Sequence, residues 1–196
     1  MSRGARIKEI VRRLKIIYGD DNPLEIIKKR NIVLCYLDEK SVSKGAYKKF
    51  LGTQFIYINT GLSFFEKRLT YTHELGHSII HPDVDTFELK RTDPLSLTRY
   101  ENEANLFAAE FLLEDDILDK YPGESIYDIA RKECVSVELL KLKINNLNID
   151  KNTAKVLLEL PQLFGQAEVL DKARSLTNIP ECIEAVDRLT NLYELL

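Results

Sequence analysis

The sequence predicts an α+β fold: a small mixed or antiparallel sheet packed on one central helix, followed by a mostly helical C-terminal region. Three observations carry this. Two short runs rich in β-branched and aromatic residues, Ile32 to Leu37 (IVLCYL) and Gln54 to Asn59 (QFIYIN), read as strands. The stretches Ser63 to Ile80 and Thr98 to Leu113 repeat apolar residues at three and four spacing, as helices do. Beyond Asp116 the same helical spacing recurs in short segments broken at Pro122, Pro161 and Pro180.

Taken in order, Ile7, Ile10, Val11 and Leu14 set the apolar stripe of a first helix. The basic residues among them (Arg3, Arg6, Lys8, Arg12, Arg13, Lys15) form its solvated face. Asn22 followed by Pro23 is a cap and first turn, so a second helix runs to about Arg30. Ile32 to Leu37 reads as a short buried strand. The stretch punctuated by Gly45 and Gly52 leaves room for a further short strand before Gln54 to Asn59. In that strand Phe55, Tyr57 and Asn59 alternate with Ile56 and Ile58, which suggests one core face and an open surface, with an edge able to receive an extended peptide. The polar stretch 83 to 97 is expected to be a mobile loop, and Glu124 to Glu133 and Ser136 to Leu147 are expected helices. The implied organisation is a domain over residues 1–120, a small unit over 121–147 and a helical extension over 148–196.

A chain of 196 residues with a net charge of −3 is not a nucleic-acid binder by charge alone. No segment approaches the apolar length that crosses a bilayer, and the N-terminus lacks a secretory signal pattern, so a cytoplasmic location is expected. Cys35, Cys134 and Cys182 are few, odd in number and far apart, which argues against both a disulfide framework and a thiolate metal site.

All three histidines fall in one helical segment, Leu69 to His81 (LTYTHELGHSIIH). Residues four apart share a helix face, so His73 and His77 can hold one zinc ion while Glu74 points to the metal's open side, the layout of a zinc peptidase. Gly76 permits a neighbouring helix to approach closely. Catalytic zinc needs a third protein ligand, and the next helix offers Glu101 and Glu103 on opposite flanks of the face set by Ala104, Phe107, Ala108 and Phe111. Helix geometry alone does not choose between them. Asn105, one turn after Glu101 on the same flank, could accept from the spare N–H of a ligating histidine, whereas Glu103 is followed at that spacing by Phe107; this favours Glu101. His81, one turn past His77, reads as a cap at the helix C-terminus rather than a substrate contact.

The run IYIN, then RLTYTHELGHSIIH, then ENEANLFAAEFLL together resemble the ImmA/IrrE family of zinc metallopeptidases, over about residues 1–147. The resemblance implies a compact zincin-like, gluzincin-type fold with Zn2+ on His73, His77 and Glu101 and with Glu74 as catalytic acid/base. It also implies a protein substrate: a helix-turn-helix transcriptional repressor of a mobile element, prophage or stress regulon, typically encoded beside the peptidase. Ile126 to Lys143, with Ala130, the turn at Cys134-Val135-Ser136 and Leu140, is similar to the degenerate helix-turn-helix unit that follows the core in such proteins. Its second helix carries only Glu138, Lys141 and Lys143, so partner recognition or packing is expected in place of direct DNA binding. Glu114-Asp115 stands where the family has a proline, and the tail after about Asn148 has no counterpart in shorter members. The competing reading is a non-cleaving anti-repressor or toxin-like binding protein on the same scaffold.

Overall fold

The computed structural model describes residues 2–147, apart from 20, 87, 88, 90 and 91; the expected extension over 148–196 lies outside the described residues. Its contacts form two compact units, Met1–Glu114 and a second beginning at Asp115. Among the described residues the fold is α+β, with a three-stranded mixed sheet and seven helices. No described helix is long and apolar enough to cross a membrane.

The first unit opens with α1 (Arg3–Tyr18), capped by the Ser2 hydroxyl and ended by Gly19 in the left-handed region, where glycine carries no steric cost. Helix α2 (Pro23–Lys29) starts as its sequence dictates, with Asn22 accepting from Leu24 N–H and proline in the first turn. Strand β1 (Val33–Leu37) follows, then β2 (Gly45–Phe50) and β3 (Thr53–Asn59). Leu51 and Gly52 both have positive φ, 47° and 82°, so β2 and β3 are joined by the tight two-residue turn that matches strand twist.

The strand order is β1-β3-β2, with β1 parallel and β2 antiparallel to β3. This corrects two expectations. Gln54 to Asn59 is the central strand, hydrogen-bonded on both sides, so it has no free edge to offer a peptide. The edges of the sheet are β1 and β2, and the one beside the next helix is β2, whose sequence GAYKKF lacks clean alternation and pairs because the turn folds it onto β3. Ile32 to Leu37 is not a buried strand either: Val33 and Tyr36 are exposed, because β1 is the opposite edge and only one of its sides is paired. In β3, Ile56 and Ile58 are fully buried, and Gln54 Nε2 donates to both the Tyr47 hydroxyl (2.9 Å) and the Ser78 carbonyl (2.9 Å), tying the sheet to the next helix.

That helix, α3 (Phe64–Ile80), begins with a reciprocal cap in which Ser63 and Glu66 satisfy each other's backbone N–H. Helix α4 (Pro94–Leu112) starts four residues before the expected Thr98. Asp93-Pro94 is itself a helix-start signal, and two backbone hydrogen bonds, from Leu89 N–H to the Asp85 carbonyl and from Asp93 N–H to the Leu89 carbonyl, lie within the stretch expected to be a loop. Lys48 and Lys49 of β2 pair with Asp85 and Asp83 at its start.

Helices α3 and α4 pack at their small residues. Leu75, Ala104, Phe107, Ala108 and Phe111 are buried, and the Phe107 ring lies where a side chain on Gly76 would be, 3.0 Å from an ideal Cβ. Burial of Phe107 and Phe111 contributes about 1.5–3 kcal/mol each, so this contact is a large share of what joins the two helices.

In the second unit, α5 (Ile117–Lys120), α6 (Ile126–Lys132) and α7 (Val137–Asn146) bury Ile117, Ile126, Ile129, Leu140 and Ile144. Helices α6 and α7 are capped by Ser125 and Ser136 and joined through Cys134 in the left-handed region. Lys143 is 1 % exposed and its Nζ donates to Asp115 Oδ1 at 2.7 Å.

The Gly76 contact generates a test. Gly76→Val should destabilise the protein by about 1–3 kcal/mol in urea unfolding, the range for overpacking a filled interior. Combined with Phe107→Leu it should cost less than the sum of the two single changes, because the smaller side chain makes room.

Candidate metal centre

The α3–α4 contact sets two polar faces against each other. His73 and His77, one turn apart on α3, turn their Nε2 atoms to a common point, 3.1 Å from each other. Glu101 of α4 meets them there, with Oε2 3.1 Å from His73 Nε2 and Oε1 3.5 Å from His77 Nε2. These three residues form a cluster whose ligand atoms all lie within 4.8 Å of one another.

The spacing fits a small tetrahedral cation. Bonds of 2.0–2.1 Å to nitrogen and oxygen put neighbouring ligand atoms about 3.3 Å apart, close to the separations found here. The exposure gradient fits as well: His77 is 1 %, His73 19 % and Glu101 39 % exposed, so the cluster opens to one side only.

Each histidine has a partner for its other nitrogen. His73 Nδ1 lies 2.9 Å from Asn105 Oδ1, on the same flank of α4 as Glu101. An amide oxygen there accepts the Nδ1 hydrogen and leaves the Nε2 lone pair free for coordination. His77 Nδ1 faces His81 Nδ1 at 3.3 Å, and His81 Nε2 lies 3.0 Å from Glu103 Oε2. The structure therefore separates the two acids that helix geometry left open: Glu101 points at the histidine pair, and Glu103 points at His81.

His81 does occupy the C-cap position of α3, its backbone N–H donating to the His77 carbonyl. Its ring differs from the expectation. It is buried, packed edge-on against Tyr100 at 4.8 Å, and touches His77 and Glu103 in place of the helix's last carbonyls. Pro82 follows it, where the helix has ended.

Glu74 is buried beside this cluster. Burial pushes its carboxyl up to about 7, with the Glu101 charge adding to the effect and His73 opposing it. Burial also works to raise Glu101, but hydrogen bonds from His73 and His77 outweigh it and hold that carboxyl far below the usual range. His77 is lowered, chiefly by burial.

Two residues with no signal of chemistry in the sequence shape the Glu74 side. An ideal Cβ on Gly45 would stand 2.4 Å from Thr70 Cγ2 and 3.1 Å from Glu74 Oε1, so only glycine lets the start of β2 lie this close to the carboxylate. Asn59 holds the approach to Gly45: its Nδ2 donates to the Ser41 carbonyl at 3.0 Å and its Oδ1 accepts from Gly61 N–H at 2.8 Å. The register could have shown neither, because both effects depend on which strand lies beside α3.

A two-histidine, one-carboxylate cluster on adjacent helices, beside a buried glutamate and an edge strand, defines a metallopeptidase-type centre. Residues 27–145 match the Peptidase_M78 family, described as the IrrE N-terminal-like domain. The chain belongs to the ImmA/IrrE family. Immunity region protein 2 of Bacillus phage phi105 is 35 % identical over 139 residues, covering 70 % of this chain and 88 % of the phage protein. Metallopeptidase ImmA of Bacillus subtilis (strain 168) is 32 % identical over 65 residues, 33 % of this chain and 37 % of that protein. An ATP phosphoribosyltransferase regulatory subunit of Clostridium acetobutylicum is 34 % identical over 85 residues, 43 % of this chain and 21 % of the subunit.

Titrating the full chain with Zn2+ against a chromophoric chelator tests the cluster. One equivalent should bind, Glu101→Ala should abolish stoichiometric binding, and Asn105→Leu should weaken it by about 10–100-fold through the freed His73 nitrogen.

Proposed function

We propose that this protein is a zinc-dependent endopeptidase whose substrate is a helix-turn-helix transcriptional repressor. The convergence of His73, His77 and Glu101 beside Glu74 carries the peptidase reading. Two imidazole nitrogens and one carboxylate oxygen suit Zn2+, and helical i,i+4 histidines with the intervening glutamate are the arrangement of zinc peptidases. Zn2+ bound there supplies a Lewis acid that makes water acidic near neutral pH and polarises a carbonyl oxygen.

The chain's own residues divide the remaining work. Asn105 and the His81 ring orient the two histidines. Glu74 accepts a proton from the water whose oxygen bonds to the scissile carbonyl carbon, then delivers it to the amide nitrogen as the C–N bond breaks. The free edge of β2 leads to Glu74. The Asn59 N–H donates to the Lys44 carbonyl, and antiparallel alternation from that bond turns the backbone groups of Gly45, Tyr47 and Lys49 away from β3; Tyr47 is fully buried, so an extended peptide would pair at the more open ends of the strand, Gly45 and Lys49. Gly45 keeps the strand's start low enough for such a peptide to pass over the carboxylate.

The repressor as substrate is supported by the resemblance over residues 1–147 and by the phage relative's description as an immunity region protein. Helix α7 is better suited to recognising a protein than DNA: Lys143, one of its two basic residues, is buried on Asp115 and cannot reach phosphate.

The test mixes the zinc-loaded chain with the helix-turn-helix protein encoded beside it and follows the repressor by mass spectrometry. The wild type should yield two fragments, and Glu74→Gln should keep its zinc while cleaving about 10²–10⁴-fold more slowly. A repressor that stays full length but is bound would establish sequestration instead. Iron in place of zinc after purification would contradict the hydrolytic assignment, since the same donor set serves iron oxygenases.

A further inference from the structure

We propose that Glu103, acting through His81, determines which nitrogen of His77 is free to coordinate metal, so that Glu103 and His81 are positioning residues for the centre. The inference rests on the metal-site reading above and adds the means by which the more buried ligand is oriented.

Hydrogen-bond direction fixes each link between Glu103 and His77. Glu103 is almost fully buried, yet three guanidinium groups reach it: Arg3 Nε at 3.3 Å and Arg6 Nη2 at 3.8 Å from α1, and Arg99 Nε at 3.4 Å from its own helix. Surrounded by that much positive charge it is a carboxylate, and a carboxylate only accepts. His81 Nε2, 3.0 Å away, must therefore carry hydrogen and donate. In a neutral imidazole the other nitrogen is then bare. So His81 Nδ1 accepts, and the His77 Nδ1 facing it at 3.3 Å must carry hydrogen. That leaves the lone pair of His77 on Nε2, the atom aimed at His73 and Glu101.

No step has a free choice once Glu103 is ionised and His81 is neutral. The Tyr100 ring packed edge-on against His81 holds the middle link in plane. Two of the three arginines belong to α1, which precedes the residues matched by the family, so the first helix takes part in orienting a ligand on the third. His73 needs no such chain, because Asn105 supplies a carbonyl oxygen directly.

The chain has three histidines, all in this network, so its imidazole ¹⁵N spectrum contains no others. Long-range ¹H–¹⁵N correlation on the zinc-loaded, full-length protein should show His81 hydrogenated at Nε2 and His77 at Nδ1. Glu103→Leu should turn His81 into a mixture of tautomers. His81→Phe, which keeps the ring and removes the acceptor, should weaken Zn2+ binding by about 10–100-fold. His81→Asn, which places a carbonyl oxygen within reach of His77 Nδ1, should restore affinity close to wild type, and adding Glu103→Leu to it should then change nothing. Hydrogen on His81 Nδ1, or His81→Phe binding zinc as the wild type does, would overturn the inference while leaving the metal site standing. A wild-type chain that binds no Zn2+ would overturn both.

Discussion

The close approach of α3 and α4 at Gly76 and Phe107 is the constraint on which the centre depends. A metal cluster split between two helices needs their axes near enough for short side chains to meet, and histidine and glutamate leave little slack. Gly76 removes the side chain that would hold the helices apart, and the Phe107 ring fills the space so that the approach is also well packed. The apolar contact thereby positions the polar one: one turn along, Glu101 and Asn105 arrive opposite His73, and Glu103 arrives opposite His81.

The polar groups gathered there would be costly to bury singly, and the network shows how they are accommodated. Each imidazole nitrogen turned away from the cluster has an acceptor or donor, and the most buried acid, Glu103, is met by His81 and by arginines on two helices. Glu74 is the exception. It has burial without a cationic partner of its own, which is why its carboxyl is pushed upward while Glu101 and Glu103 are held down.

The helical part of this architecture was legible in the sequence because the signals are local. Three-and-four spacing, Asn22-Pro23 and the HELGH turn each refer to neighbours a few residues away, and the described helices lie within a few residues of where those signals put them. The sheet was less legible, since strand order is a long-range property. The run QFIYIN reads the same at an edge as in the centre, and only pairing with β1 and β2 shows it to be central. GAYKKF carried almost no strand signal, yet it is the edge that borders Glu74. Within the centre, the residues spaced along one helix face could be grouped from the sequence, while the contributions of Gly45, Asn59 and the Glu103–His81 contact depended on packing between elements distant in the chain.

The proposed chemistry depends on His73, His77 and Glu101 holding one zinc ion. Anomalous diffraction at the zinc edge from crystals of the zinc-loaded chain tests it most directly. The account predicts one strong peak about 2.0–2.1 Å from the Nε2 atoms of both histidines and from a Glu101 oxygen. A peak at other residues, or coordination through Glu103 with Glu101 turned away, would contradict it.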